Sequence, residues 1–400
     1  MSHKVIPYGK QFISEEDIQA VISVLKSDYL TQGPKIEEFE QKFAQYIGVN
    51  YAVAVSNGTA ALHLCALALE VSPGQKVITT PITFAASANC IRYCGGEVVF
   101  SDIDSDTYLI DIEAVKKLLS DSPIGTYQGI IPVDFAGRAV NLEELRELAN
   151  QYNLWIIEDA CHAPGGYFID SKNNIQHCGN GQFADLAIFS FHPVKHIAAG
   201  EGGMITTNDI ELYKKLLKLR THGITKNSGE FVNTLETAFG KSEIQKSEFP
   251  LWYMEMQELG FNYRLTDFQA ALGQSQLSKA TERLQRRRDI AKMYTDVFSS
   301  NKKIIRSSGD IEGHAYHLFV IEIENREGLY TFLRTKNIFA QVHYFPTHLM
   351  PYYAQFGWKS GDFIHAESYY SNCLSLPMYP TMSDEDVNYV IDNVLSFLGE

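Results

Sequence analysis

The chain has 400 residues, 45% hydrophobic and 20% charged, and its 34 basic against 48 acidic side chains give a formal charge of -14. That length exceeds what one hydrophobic core usually organises, and the acidic balance argues against a general nucleic-acid binder. No run approaches the roughly 18 apolar residues of a membrane span, and the start, Met1 to Pro7, lacks a signal peptide's apolar core, so a cytoplasmic protein is expected.

In chain order, an amphipathic segment from Glu15 to Ser27 leads into Tyr29 to Pro34, and a second helix is expected over about Lys35 to Ile47. A strand at Tyr51 to Val55 precedes a helix from about Thr59 to Leu69. Between them, Ser56-Asn57-Gly58-Thr59-Ala60-Ala61 puts a close-approach glycine and a hydroxyl at a helix N-terminus, where a phosphate is favoured. Alone, such a turn is more often an ordinary helix cap. The strand Lys76 to Thr79 precedes a helical stretch from Phe84 to Tyr93. Phe84 sits where a ring can cover a flat cofactor, although a core phenylalanine is the plainer reading.

Further strands are expected at Glu97 to Phe100, Gly129 to Val133, Leu154 to Glu158 and Leu186 to Phe191. Their alternation with helices implies a mostly parallel sheet covered on both faces. Asp159 follows the apolar run from Leu154 to Ile157, so one carboxylate is delivered at a strand's carboxyl edge. Lys195 follows another apolar strand and precedes Gly200-Glu201-Gly202-Gly203. An amine that can capture an aldehyde and a carboxylate that can hold a pyridinium proton together suggest pyridoxal phosphate. His162 could bond the ring hydroxyl or Asp159, and Ser190 offers a hydroxyl to the phosphate.

Residues 225 to 260 read as an insertion or a long functional loop. Arg264 to about Ser299 is helical, and its cluster Arg286-Arg287-Arg288 reads as a solvated helix face. New strands and helices begin near Ile304. The expected division is a large cofactor domain over 1–260, connecting helices with dimer contacts over 261–300, and a small C-terminal domain over 301–400. Cysteines at 65, 90, 94, 161, 178 and 373 lack paired spacing, so reduced, mostly buried thiols are expected and no metal site.

Five motifs in order resemble the DegT-type nucleotide-sugar aminotransferases: Ser56 to Ala61, Thr79 to Phe84, Ile157 to Ala163, Ser190 to Lys195 with Gly200 to Gly203, and Gly260 to Asp267. The resemblance spans almost the whole chain. It implies an α/β, aspartate-aminotransferase-like fold of type I, with a mostly parallel central sheet between helices and a smaller C-terminal α+β domain. It is greatest to transaminases of pseudaminic acid synthesis, through Ile6 to Gln11, Leu30 to Pro34, His192-Pro193-Val194, and Gln341 to Pro346 with Pro351-Tyr352-Tyr353. It departs from the pattern at Cys161, at Ala198-Ala199 and in a long loop between Lys226 and Trp252.

The resemblance assigns roles to matching residues. Lys195 would bond the aldehyde of pyridoxal 5'-phosphate, Asp159 would hold the ring nitrogen and Phe84 would stack on the ring. Gly58, Thr59, Ala60 and Ser190 would bind the phosphate. Asn262 would reach the neighbouring subunit's phosphate, which implies a homodimer with shared active sites. Tyr8, Asp28, Tyr29, Leu30, Thr31, His343 and Tyr344 would lie near the sugar nucleotide.

The implied reaction passes an amino group from L-glutamate to the 4-keto carbon of a UDP-linked 4-keto-6-deoxy-N-acetyl hexosamine, with dTDP- or GDP-linked sugars as alternatives. The lysine would act as general base and acid, its pKa lowered toward roughly 7–8 by cationic surroundings. A sugar dehydratase of the same fold is disfavoured because those relatives replace the lysine by histidine. A catalytically silent regulator is disfavoured by the intact Lys195 and Asp159.

Overall fold

A computed structural model describes residues 5–240 and 246–399. Met1 to Lys4, part of the N-terminal stretch that lacks a signal peptide's apolar core, and 241–245 of the long loop lie outside the described residues. The central sheet has seven strands in the order Tyr51–Val55, Gly203–Thr207, Leu186–Ser190, Trp155–Asp159, Tyr127–Ile131, Lys76–Thr79 and Glu97–Phe100. All run parallel except Gly203–Thr207, which is antiparallel to both neighbours. Helices cover both faces, so the strands are unbroken apolar runs; Val53, Ala54, Ile156, Ile157, Ala187 and Ile188 are fully buried.

Parallel strands bring their carboxyl ends to one edge, and the turns after Val55, Thr79, Asp159 and Ser190 gather there. The reversed strand Gly203–Thr207 was not expected, because its glycine-rich start reads as loop. It inserts between Tyr51–Val55 and Leu186–Ser190 and so spaces those two turns by one strand.

A three-stranded antiparallel sheet, Arg306–Ser307, Phe319–Glu322 and Cys373–Leu376, anchors a second core. Ile290, Tyr294 and Phe298 pack there with Val387, Val390 and Val394. The expected helical stretch from Arg264 is two helices, Asp267–Leu277 and Ala280–Phe298. A capping box between Thr266 and Gln269 starts the first.

The reading of Arg286 to Arg288 as a solvated face needs correction. Arg287 is 2% exposed, and its Nη1 donates to the carbonyls of Tyr316, His317 and Met378 at 3.1, 3.4 and 3.1 Å. It stands on the helical stripe of Arg283, Ile290 and Tyr294, and a run of three like charges hides that period. The loop after Thr225 carries the short helix Leu235–Phe239 and exposes Val232, Leu251, Trp252, Met254 and Met256. Among the described residues, no helix is long and apolar enough to cross a membrane.

Candidate active site

A cavity of about 660 Å³ opens at the carboxyl edge, and Lys195 and Asp159 both line it. Lys195 is carried by a turn in which its amide donates to His192 O at 2.8 Å. The return past Ala199 is tied by Phe191 N to Gly202 O and by Ala199 N to Phe191 O. Burial lowers the Lys195 pKa, while Cys161 and Asp159 push it back up. Cationic surroundings were the expected cause; desolvation is the one found. The imidazoles nearby are themselves held neutral by burial, His162 and His317 well below their ordinary pKa and His343 down to about 3.

Asp159 ends its strand with both oxygens engaged. Oδ2 accepts from Ser87 Oγ at 2.7 Å and Oδ1 from the Cys161 amide at 3.2 Å. Its backbone is pinned between Pro132 O and Asp134 N. Across the cavity the helix Gly58–Ala68 begins. Asn57 caps it by accepting from Ala60 N at 2.8 Å, so Ala60's amide is already engaged, while the amides of Gly58 and Thr59 have no acceptor within the helix. Ser190 stands beside Gly58, where a Cβ would come within 3.1 Å of the serine's Cβ. A Cβ at Gly203 would meet the Asn57 carbonyl at 2.6 Å, so that glycine lets the reversed strand pass under the cap. Phe84 is 63% exposed at the cavity, with its ring 6.2 Å from that of Tyr344.

His162 is oriented from both sides. Its Nδ1 accepts the Ala136 amide at 3.3 Å, so the neutral ring carries its proton on Nε2, facing Tyr344 Oη at 3.3 Å. His317 stacks behind it at 4.2 Å. His343 lies 5.3 Å from the Tyr8 ring and pairs through Nδ1 with Ser375 Oγ at 2.9 Å.

Gly58, Thr59, Ala60, Phe84, Asp159, His162, Ser190, Lys195, Tyr8, His343 and Tyr344 thus share one cavity. Asp28, Tyr29, Leu30, Thr31 and Asn262 do not line it. Those five are exposed and lie along adjoining backbone, for Thr31 bridges Thr266, and Asp267 N donates to Leu30 O. Several lining residues escaped the sequence reading. Asn57, Glu201 and Tyr263 lay inside motifs already singled out, but Tyr93 carries no local signal, and neither does Ser87, which is outside the lining and meets Asp159 across 72 residues.

The donor set fits pyridoxal phosphate. An amine without a hydrogen bond to any described side chain suits an aldehyde, a carboxylate held by two donors suits a protonated ring nitrogen, and free amides at a helix start suit a phosphate. The model of the DegT/DnrJ/EryC1/StrS aminotransferase family matches residues 11–395. The chain is 37% identical to the spore coat polysaccharide biosynthesis protein SpsC of Bacillus subtilis, over 97% of the chain and 96% of SpsC. It is 35% identical to a UDP-4-amino-4,6-dideoxy-N-acetyl-beta-L-altrosamine transaminase of Campylobacter jejuni, over 98% of both. Among solved structures, Helicobacter pylori PseC, an aminotransferase involved in the biosynthesis of pseudoaminic acid, superposes with a TM-score of 0.85 at 30% identity, covering 99% of this chain and 100% of PseC.

Proposed function

Because the chain belongs to the DegT/DnrJ/EryC1/StrS aminotransferase family, whose members are pyridoxal-phosphate-dependent nucleotide-sugar aminotransferases, we propose that it moves an amino group from L-glutamate to the 4-keto carbon of a UDP-linked 4-keto-6-deoxy-N-acetyl hexosamine. The observation that carries the reading is the meeting of Lys195, Asp159 and the free helix N-terminus in one cavity. The altrosamine transaminase and PseC support the choice of sugar.

When bound, pyridoxal phosphate supplies an aldehyde that takes up amino groups and a ring that accepts electrons. The chain's own residues do the rest. Lys195 holds the aldehyde and, once released, removes a proton from the donor's α-carbon and returns it on the other side of the exchange. Burial favours this by disfavouring the charged form of the amine. Asp159 would keep the ring nitrogen protonated. Gly58, Thr59 and Ser190 would hold the phosphate, Phe84 would cover the ring and His162 could bond its hydroxyl. Tyr8, His343 and Tyr344 form the acceptor side. One site serving donor and acceptor in turn predicts ping-pong kinetics.

The proposal includes a homodimer in the cytoplasm. Asp28 to Thr31 and Asn262, which are exposed and outside the cavity, would complete the partner's site. The division into 1–260, 261–300 and 301–400 also remains a proposal. The packing of Ile290 and Tyr294 into the C-terminal core supports joining the helix Ala280–Phe298 to the small domain.

The test is to offer glutamate with UDP-, dTDP- and GDP-linked 4-keto-6-deoxy sugars and to identify the product by mass and NMR. A 4-amino product with the UDP sugar and 2-oxoglutarate formed only in its presence are expected. Amination of a dTDP or GDP sugar instead would move the substrate assignment. Lys195→Ala should lose turnover and the bound cofactor's visible absorption; an active variant would end the whole reading.

A further inference from the structure

The carboxylate of Asp159 is the end of a chain of buried hydroxyls. Ser87, fully buried at the first turn of the helix Ala86–Tyr93, places Oγ 2.7 Å from Asp159 Oδ2 and 2.8 Å from Thr83 Oγ1. Thr83 is 1% exposed. Proton counting fixes the direction. A carboxylate only accepts, so the single Ser87 proton goes to Asp159, and the Ser87 oxygen must then accept the single Thr83 proton. The longer contacts of both hydroxyls to Phe84 O, 3.2 Å from Thr83 and 3.5 Å from Ser87, are the weaker alternatives.

We propose that Ser87 is a positioning residue of the transamination site, set by Thr83, which fixes the Asp159 carboxylate so that it meets the ring nitrogen of pyridoxal phosphate. This rests on the reading of Asp159 given above. Two donors on different elements, the Cys161 amide and the Ser87 hydroxyl, leave the carboxylate one orientation. With the serine proton gone, Oδ2 loses its 2.7 Å hydroxyl donor, and the group turns about its last torsion. The same loop carries Phe84, one residue past Thr83, so the hydroxyl chain also ties the ring that faces the cavity to the acid that ends it. The loop is held in turn by the Thr347 amide on Pro81 O at 2.8 Å and by Thr347 Oγ1 on Thr83 O at 3.4 Å. The segment bearing His343 and Tyr344 therefore reaches Asp159 through buried hydrogen bonds.

The test compares Ser87→Ala, Ser87→Cys, Thr83→Val and Asp159→Asn with wild type. It reads the dissociation constant of pyridoxal phosphate, the melting temperature of the cofactor-free protein, and kcat and KM separately. Ser87→Ala should weaken cofactor binding and lower kcat, each roughly tenfold, as for one hydrogen bond to a charged group, with KM for glutamate unchanged. Ser87→Cys fills the same volume with a weak donor, so it should keep the wild-type melting temperature yet lose affinity and kcat as alanine does. Thr83→Val keeps shape and removes the upstream proton, for a roughly two- to threefold effect in the same direction. If Ser87→Ala does not fold, the cysteine and valine variants decide.

Wild-type affinity and kcat in Ser87→Cys, or losses that follow melting temperature alone, would overturn the proposal. Asp159→Asn separates the two readings. If it too binds and turns over normally, the assignment of Asp159 has failed; if it alone is impaired, only the role of Ser87 has.

Discussion

The strand Trp155–Asp159 ends in two adjacent acids that face opposite sides of the sheet, and the two sides make different groups of them. Asp159 looks into the cavity with Lys195, and a hydroxyl and an amide fix its oxygens. Glu158 looks into the packed interior. Both its oxygens accept the Gly179 amide at 2.9 Å, and one oxygen of each acid, Glu158 and Asp134, lies within 4.8 Å of the other and of the Cys178 sulfur. Burial, then the neighbouring Asp134, drives the Glu158 pKa well up, and burial drives Asp134 up to about 6. Two carboxyls so close in a dry interior cannot both ionise, so they keep a proton between them. Neighbouring residues of one chemical type thus become a cavity-lining acid on one face and half of a buried pair on the other.

The sharpest way to break this contrast is to remove one charge from each face without changing shape. Asp159→Asn should cost roughly 10²- to 10³-fold in kcat, the usual price of one misplaced electrostatic partner, with little change in melting temperature. Glu158→Gln, which still offers Asp134 a donor, should leave turnover within about threefold. Equal losses in steady-state kinetics would mean that the two faces are not functionally separate. Truncation reverses the ranking for stability. Glu158→Ala strands the Gly179 amide, removes the acid that shares a proton with Asp134 and opens a void, so chemical denaturation should show a loss of about 2–4 kcal/mol. Cofactor affinity in the folded fraction should stay near wild type.

Much of the contrast was legible in the sequence, for a reason that also marks its limit. A buried parallel strand announces itself by an unbroken apolar run, so the position of Asp159 at a carboxyl edge followed from Leu154 to Ile157. The turns bearing Gly58, Phe84 and Lys195 followed from their own strands. What could not be read was contact across the chain. Asp134 meets Glu158 across two neighbouring strands, and Ser87 meets Asp159 because Glu97–Phe100 goes to the sheet edge and leaves Lys76–Thr79 one strand away from Trp155–Asp159. Arg287 was misjudged because its like-charged neighbours outweighed its place on the buried stripe. The partner role proposed for Asp28 to Thr31 and Asn262 rests on resemblance alone, since nothing in a single chain's periodicity says which exposed residues would serve a partner.

A smaller effect separates the faces by pH. For the interior pair the folded-state pKa values lie above the unfolded ones, so the folded form binds more protons. The pair's stabilising contribution is full below the unfolded carboxyl range near pH 4; Asp134's share is lost as pH rises through about 6 and Glu158's only at higher pH. Asp134→Asn removes that titration while keeping a polar group on Val140 N, which donates to Asp134 Oδ1 at 2.9 Å. The melting temperature of the variant minus that of wild type should therefore rise steadily between pH 4.5 and 7.5. A difference that is flat with pH would show that the pair holds no shared proton.

The smallest effect is expected where the two faces meet in sequence, at Cys161. The residue lines the cavity beside Asp159 and Lys195, and its position invites a reading as a reactive thiol. Its main contribution to Asp159 comes from the main chain, however, since the amide bonds Oδ1 at 3.2 Å while the thiol adds only a weak hydrogen bond to that carboxylate. Burial, then the nearby Asp159 charge, raises the thiol pKa well above its ordinary value, so the sulfur stays protonated and a poor nucleophile. Alanine preserves the amide and removes one atom from a wall that is already partly open. Cys161→Ala should thus change kcat and cofactor affinity by no more than about twofold, and iodoacetamide should label Cys161 of the cofactor-free enzyme slowly at pH 7. A tenfold loss of kcat with cofactor affinity intact would place the sulfur in the chemistry and move the boundary between function and structure one residue along the chain.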